Sequence, residues 1–435
     1  MSDTERTLAT EVATSAPPTV LSTERRGGID SRDFRWFWAA HSVSTFGDQI
    51  TLIALPLAVY ARTESPLAVG IAASMQSLTA VAFGLLFGAY ADRLRHRPIL
   101  ISTDLARGAV LGAVAVLALQ SDTYPVVALY LAAFVMGALR VLHDAAAGAA
   151  LPRVVVGPDL LAANGRLSAS ESAGNTGGPL LGGMLMSLGG AGLAFGADAL
   201  SFVVSGFSVA RVRALRYGRR AHAVRARERT IRADVIEGLR VVWADRAFMH
   251  GLVLVAAMNV VAVAVEAQFV PYASELLDLS EGVAVAVYFS IGGLAGLATA
   301  LVLSRRQEAR GDVVLAGVGF FAAGVMVAGL TPSRLSAGVA FVAAGVGSVM
   351  VITHFSALRQ RRFPVRLLGR VGMAARTVLF GILPLAHLGG GWLARESGPK
   401  VLFIVAASIG LIATAWGAAV GFGGVRMGDV IDITE

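Results

Sequence analysis

The stretch GNTGGPLLGG, Gly174 to Gly183, decides the fold. Gly174, Gly178 and Gly182 lie four apart, so on a helix they form one smooth ridge. Ridges of this kind let two helix backbones approach closely in lipid, where association depends on packing. Pro179 removes a backbone donor and bends the helix at that point. The stretch lies inside an apolar segment, 166–188. Such a segment is long enough to cross ~30 Å of hydrocarbon at ~1.5 Å per residue.

Working outward, eleven more apolar segments appear: 36–60, 67–90, 99–119, 125–144, 192–210, 248–273, 282–304, 313–330, 335–356, 371–392 and 401–423. The composition agrees. Of the 435 residues, 55% are hydrophobic and 15% charged, with a mean hydropathy of +0.68. A soluble globular protein carries roughly 25% charged residues. Helices are the expected spanning form, because every backbone polar group must be satisfied within the bilayer. A β-barrel would show short alternating segments, and none is present. The expectation is an all-α integral membrane protein with twelve transmembrane helices.

The basic residues are 36 arginines and Lys400. With both termini on the cytoplasmic side, about thirty arginines fall in inner segments. Arg62, Arg334, Arg395 and Lys400 alone face outward. Positive charge stays inside, so the expected site is the cell membrane with both termini cytoplasmic. The net charge of +8 follows from this loop pattern and calls for no nucleic acid.

The domain reading is a disordered cytoplasmic tail over 1–33, with no signal-like apolar run, and a six-helix bundle over 34–210. A basic linker over 211–247, a second six-helix bundle over 248–423 and a tail over 424–435 follow. Val235, Leu239 and Val242 at helical spacing predict an amphipathic surface helix leading into the seventh span. The halves echo one another. LPRVVVGPDLLAANG follows span four and FPVRLLGRVGMAAR follows span ten, and spans five and eleven carry GGPLLGG and GILPLAHLGGG. A weak internal repeat is the trace of a transporter built from related halves.

Between spans two and three lies GAYADRLRHRP, Gly88 to Pro98. It resembles the loop signature of the major facilitator superfamily at Gly88, Asp92, Arg93, His96 and Arg97, and departs from it at Arg95. The stretch at Gly174 to Gly183 resembles that superfamily's antiporter signature at Gly174, Gly178, Pro179, Gly182 and Gly183. The phrases DFRWFWAAHSVSTFGDQI, DLAR, LPRVVVGPDLLAAN and FGADALSF are similar to the branch holding enterobactin-type siderophore exporters and macrolide exporters. The resemblance implies two six-helix bundles, a cytoplasmic latch at Gly88, Asp92, Arg93 and Arg97, and drug:proton antiport by alternating access.

Charged residues within spans are costly and mark pathways. Asp48 lies near the midplane of span one. Leaving water favours the neutral form of a carboxyl, and a carboxyl that changes form can carry a proton. The competing reading ties Asp48 down with Ser44 or Thr51. Arg140 is read as counter-ion to Asp48 or as partner of a nearer carboxylate. Asp198 and Glu266 are placed toward the outer ends of spans six and seven, as structural or gating groups. Asp104, Arg107 and Glu171 are expected near the cytoplasmic face, joining the latch. Phe46, Phe83, Phe134, Phe269 and Tyr272 are candidates for an aromatic cavity.

No enzyme chemistry, cofactor or metal is expected. No Walker-type loop is present, the histidines lack ligand spacing, and no cysteine exists. The expected activity is proton-coupled export of a small amphipathic molecule such as a drug, antibiotic or siderophore, by a monomer in the bilayer. An importer or facilitator of the same fold, a lipid flippase and a non-transporting scaffold or sensor remain as alternatives.

Overall fold

A computed structural model describes residues 28–91, 95–120, 124–155, 157, 159–216, 239–279, 282–303 and 310–425. Among the described residues, twelve α-helices with both bounds placed run in chain order. They are α1 (Arg32–Thr63), α2 (Pro66–Ala91), α3 (His96–Gln120), α4 (Val126–Val154), α5 (Asp159–Ala210) and α6 (Arg246–Leu277). Then come α7 (Gly282–Leu303), α8 (Gly311–Leu330), α9 (Arg334–Arg362), α10 (Val365–Gly381), α11 (Leu383–Ser397) and α12 (Pro399–Ala419).

Helix and span do not correspond one to one. Among the described residues, eleven helical stretches are long and apolar enough to cross a membrane. One of them, the 52-residue α5, leaves helical geometry at Gly189 and Gly190. Gly190 has φ 66° and ψ −163°, a conformation that side chains with a Cβ avoid. The chain reverses there, so α5 holds spans five and six, and the total is twelve. Span eleven, expected as a single helix over 371–392, is instead α10 and α11 joined at Ile382. Pro384 lacks the N–H that would carry the ladder across that joint.

Helix α1 starts where Ser31 accepts from the backbone N–H of Phe34 at 3.2 Å. Helix α9 starts with a reciprocal cap between Ser333 and Ser336. Helix α6 starts at Asp245, which accepts from the N–H of Phe248 at 3.1 Å and also pairs with Arg362 at the end of α9. Of the predicted amphipathic helix, residues 239–244 are described and helical, with Val242 buried and Trp243 exposed. Val235 lies outside the described residues.

Helices α1–α5 form one bundle, with α1 and α3 on α5 and α2 on α4. Helices α6–α12 form the other, with α8 against α9 and α12. The bundles meet along two seams, α5 with α7 and α2 with α11. In the first seam Gly183 lies on Gly282, and Ser187 Oγ accepts from the N–H of Val283 at 3.3 Å. A Cβ on Gly293 would meet Thr176 Cα at 3.0 Å. In the second, a Cβ on Gly391 would meet Gly70 Cα at 3.0 Å, and Ser77 Oγ lies 3.3 Å from His387 Nδ1. Tyr60 donates to Glu275 at 3.0 Å, and Gln268 donates to the Pro66 carbonyl at 3.2 Å.

With an even number of spans, α1 begins and α12 ends on one side, the terminal side. Every seam contact above lies between the opposite, far side and the middle of its helix. The described contacts between the bundles therefore gather at the far side and the middle.

Candidate functional site

Asp48 stands 16 residues into the 32-residue α1, at its middle. Its carboxylate pairs with the guanidinium of Arg107, from α3, which is 2% exposed. The Arg107 guanidinium also lies 3.9 Å over the ring of Phe202. Buried cations favour this arrangement because the ring face is electron-rich. A pair this enclosed offsets its desolvation only while both partners remain.

Asp198, from the second part of α5, is fully enclosed beside this pair. It accepts from Thr51 Oγ1 at 2.5 Å and from Ser201 Oγ at 3.0 Å. Gly47 makes the approach possible, because a Cβ there would overlap Ser201 and Asp198. Two carboxylates and one guanidinium therefore share one enclosed volume between α1, α3 and α5.

Beside it, Arg140 Nε lies 3.7 Å from Asp144, one turn along α4. The Arg140 guanidinium also acts on Asp48 and Glu171. Its side chain is 48% exposed. Glu171 lies 3.4 Å from His41. One turn from Arg107, Asp104 is fully enclosed, 3.1 Å from His143 and accepting from Ser205 at 2.7 Å.

Several sequence expectations change. Arg107, expected near the cytoplasmic face, is the direct partner of Asp48, while Arg140 meets the nearer carboxylate Asp144, one of its two expected partners, and still acts on Asp48. Asp104 is likewise engaged inside the bundle, with His143. Asp198 lies at the level of Gly47 and Thr51, not at an outer end. Thr51 holds Asp198 and not Asp48, while Ser44 donates to the His41 carbonyl at 3.1 Å. Phe269 and Tyr272 are fully buried packing groups and line no cavity. Tyr272 donates to the Ala328 carbonyl at 2.8 Å. Of the latch, Asp92 and Arg93 lie outside the described residues. Gly88 is in the last turn of α2, and Arg97 donates to the Ala210 carbonyl at 2.6 Å.

The glycine ridge has two faces. Gly174, Gly178 and Gly182 pack on Thr45, Gln49 and Ile50 of α1, within one bundle. Gly183 packs on Gly282 of α7, between bundles. Gln49 and Asn175 add a 2.5 Å hydrogen bond between α1 and α5.

In the second bundle the interior is aromatic. Phe269 meets Phe341 at 4.6 Å and Tyr288 at 5.1 Å between centroids, and Tyr272 stacks on Phe403 at 4.3 Å. Glu266, on α6, has no hydrogen-bond or ion-pair partner among the described residues.

The Major Facilitator Superfamily model matches residues 37–386. The chain belongs to that superfamily. The multidrug efflux pump Tap of Mycolicibacterium fortuitum is 28% identical over 373 residues, covering 82% of this chain and 88% of that protein. The superfamily fold recurs in solved structures at low identity. A bacterial homologue of the iron transporter ferroportin, in an inward-facing state, aligns with a TM-score of 0.69 at 16% identity, covering 91% of this chain and 99% of that one. A peptide transporter POT in complex with sulfate aligns with a TM-score of 0.70 at 13% identity, covering 93% and 98%. As a superfamily member, the chain is a multi-pass transporter whose two bundles enclose a path for a small molecule.

Proposed function

We propose that this transporter is a proton-coupled antiporter that exports a small amphipathic organic molecule across the cell membrane, working as a monomer. The observation that carries the reading is the enclosed group of Asp48, Arg107 and Asp198 at the middle of the first bundle. The relation to an efflux pump and the glycine ridge support the export direction. The arginine distribution supports a cytoplasmic terminal side, which makes the present form inward-facing.

The cycle follows from charge balance. In the inward-facing form Asp48 is ionised and held by Arg107, and cargo enters the open cavity from the cytoplasm. Closing the terminal side and opening the far seams presents the cavity outward. A proton then reaches Asp48 and releases Arg107 to Asp198, and cargo leaves. Return to the inward-facing form delivers the proton to the cytoplasm. Proton and cargo oppose each other as binding free energies, so each must weaken the other equally.

The test is efflux from proteoliposomes with and without an imposed pH gradient. Asp48→Asn is expected to lose uphill export while downhill exchange persists. Asp48→Glu should keep part of the activity. Wild-type concentration of cargo by Asp48→Asn would remove the coupling role from Asp48. Orientation has its own check, because the chain contains no cysteine. A cysteine introduced at Ala221 should react only with permeant reagents in intact cells.

A further inference from the structure

A groove of about 570 Å³ lies on the second bundle where α7, α8 and α9 meet. Its walls are apolar: Val287 and Ile291 of α7, Phe320 of α8, and Val339 and Val342 of α9. Val287, Phe320, Val339 and Val342 are exposed there. The groove faces away from the other bundle. The seam face of α7 is Gly282, Ala286 and Gly293, which pack on Gly183 and Thr176 of α5. At ~100° per residue, Val287 and Ile291 lie roughly 120–160° around α7 from that face. The groove therefore opens to the bilayer and not to the path between the bundles.

Its depth is that of one leaflet. Helix α7 starts at Gly282, α8 ends at Leu330 and α9 starts at Arg334, all on the far side. Ile291 lies nine residues below the first of these, Phe320 ten below the second and Val342 eight below the third. Those steps give ~12–15 Å of helical rise, against ~15 Å for half of a ~30 Å hydrocarbon core. One acyl chain of the far leaflet fits that run, from headgroup level to the midplane.

The mouth of the groove carries a cation. Arg334 is the first residue of α9 and lines the groove. Tyr288 donates to the Arg334 carbonyl at 3.2 Å, which fixes the start of α9 against the α7 wall. Among the described residues the Arg334 guanidinium has no ion pair or hydrogen bond, Asp278 beside the groove residue Leu279 included. Arg62, on the same side, instead lies over the ring of Tyr124. An arginine here runs against the charge pattern of the other loops. A planar guanidinium meets phosphate oxygens through two parallel N–H bonds.

We propose that this groove binds an anionic glycerophospholipid of the far leaflet, with one acyl chain between α7 and α9 and the headgroup phosphate on Arg334. The chain supplies apolar burial, and the arginine selects charge at the mouth. A zwitterionic headgroup brings its own cation to the phosphate and gains less from Arg334. The lipid is a resident ligand and not cargo, because the groove and the seam lie on opposite faces of α7. The site stands apart from the proton cycle and from the direction of transport.

Native mass spectrometry of the delipidated, detergent-purified chain tests the site. The probes are dioleoylphosphatidylglycerol, dioleoylphosphatidylcholine and inorganic phosphate. The wild type is expected to retain phosphatidylglycerol over phosphatidylcholine. Arg334→Gln should lose about tenfold in phosphatidylglycerol affinity, the size of a charge-assisted contact, and Arg334→Lys should recover part of it. Gly338→Trp should lose both lipids, because nothing lies within 4 Å of a Cβ at Gly338 and the added ring would fill the groove. Lys400→Gln, which removes another exposed cation of the far side, should bind as the wild type does. Thermal unfolding gives a second readout: phosphatidylglycerol raises the transition of the wild type and not that of Gly338→Trp. Equal retention of the two lipids by the wild type, or an equal loss in Lys400→Gln, overturns the site. Undiminished retention in Gly338→Trp, or displacement of phosphatidylglycerol by inorganic phosphate, does so too.

Discussion

The two bundles share a fold but fill their interiors differently. The first buries ionisable groups: Asp48 with Arg107, Asp104 with His143, and Asp198 between hydroxyls. The second buries rings, with Phe269, Tyr272, Tyr288, Phe341 and Phe403 in mutual contact. Buried ions are poor sources of stability, because desolvation cancels most of the attraction. Aromatic contacts cost no such penalty. The difference points to a working half, whose polar groups exchange partners, and a bracing half, which keeps its shape while they do so.

Breaking the ionic half should have the largest effect. Arg107→Leu leaves a buried carboxylate unpaired beside Asp198 and should cost about 3–5 kcal/mol. Thermal unfolding in detergent would show this, with Arg107→Lys recovering part of it. Adding Asp48→Asn to Arg107→Leu should restore stability without restoring export. An unchanged melting curve for Arg107→Leu would mean that the ionic half is no more sensitive than the aromatic one.

The ridge comes next. Gly178→Leu must push α5 off Gln49 of α1, an overpacking worth about 1–3 kcal/mol, and should abolish export while the chain still inserts. Gly183→Leu meets Gly282 of the other bundle, so it should instead wedge the far seam open. Accessibility of single introduced cysteines on the far side would rise for Gly183→Leu and not for Gly178→Leu. Matching profiles would erase the distinction between the two faces.

In the aromatic half, Phe269→Leu should cost about 1 kcal/mol from lost ring contacts. Cargo preference and the pH dependence of export should stay as in the wild type. A shifted pH dependence would show that the bracing half takes part in coupling. The smallest effect is expected from Tyr60→Phe, which removes the Tyr60–Glu275 hydrogen bond across the far side. About 1 kcal/mol there shifts the inward–outward balance roughly fivefold, readable as faster far-side cysteine labelling.

The spans were legible because length and apolarity are local properties. The break at Gly189 and Gly190 was legible too, as the gap between two apolar runs. The partners inside the first bundle were less so. Asp48 was found by counting rise from the start of span one, and the same count places Arg107 eleven residues past His96, ~16 Å into α3. Read instead as a charge near a helix start, it was assigned to the loop. The contact of Asp198 with Thr51 depends on Gly47, a glycine with no motif around it, and only the packing of α5 on α1 reveals its purpose. Phe269 and Tyr272 were misjudged because an aromatic ring in a span has three destinations, lipid, core or cavity, and sequence periodicity does not separate the last two.

The reversal at Gly189 and Gly190 has a mechanical consequence. Spans five and six are joined by two residues that leave helical geometry, Gly189 and Gly190. Such a joint has no slack. The arm before it carries Thr176 and Gly183, which ride on the opposite bundle. The arm after it carries Asp198, which accepts from Thr51 of α1 beside the Asp48–Arg107 pair. A slide of the first arm along α7 is therefore delivered to Asp198 as a rotation of the second, as a bent lever turns displacement at one end into torque at the other.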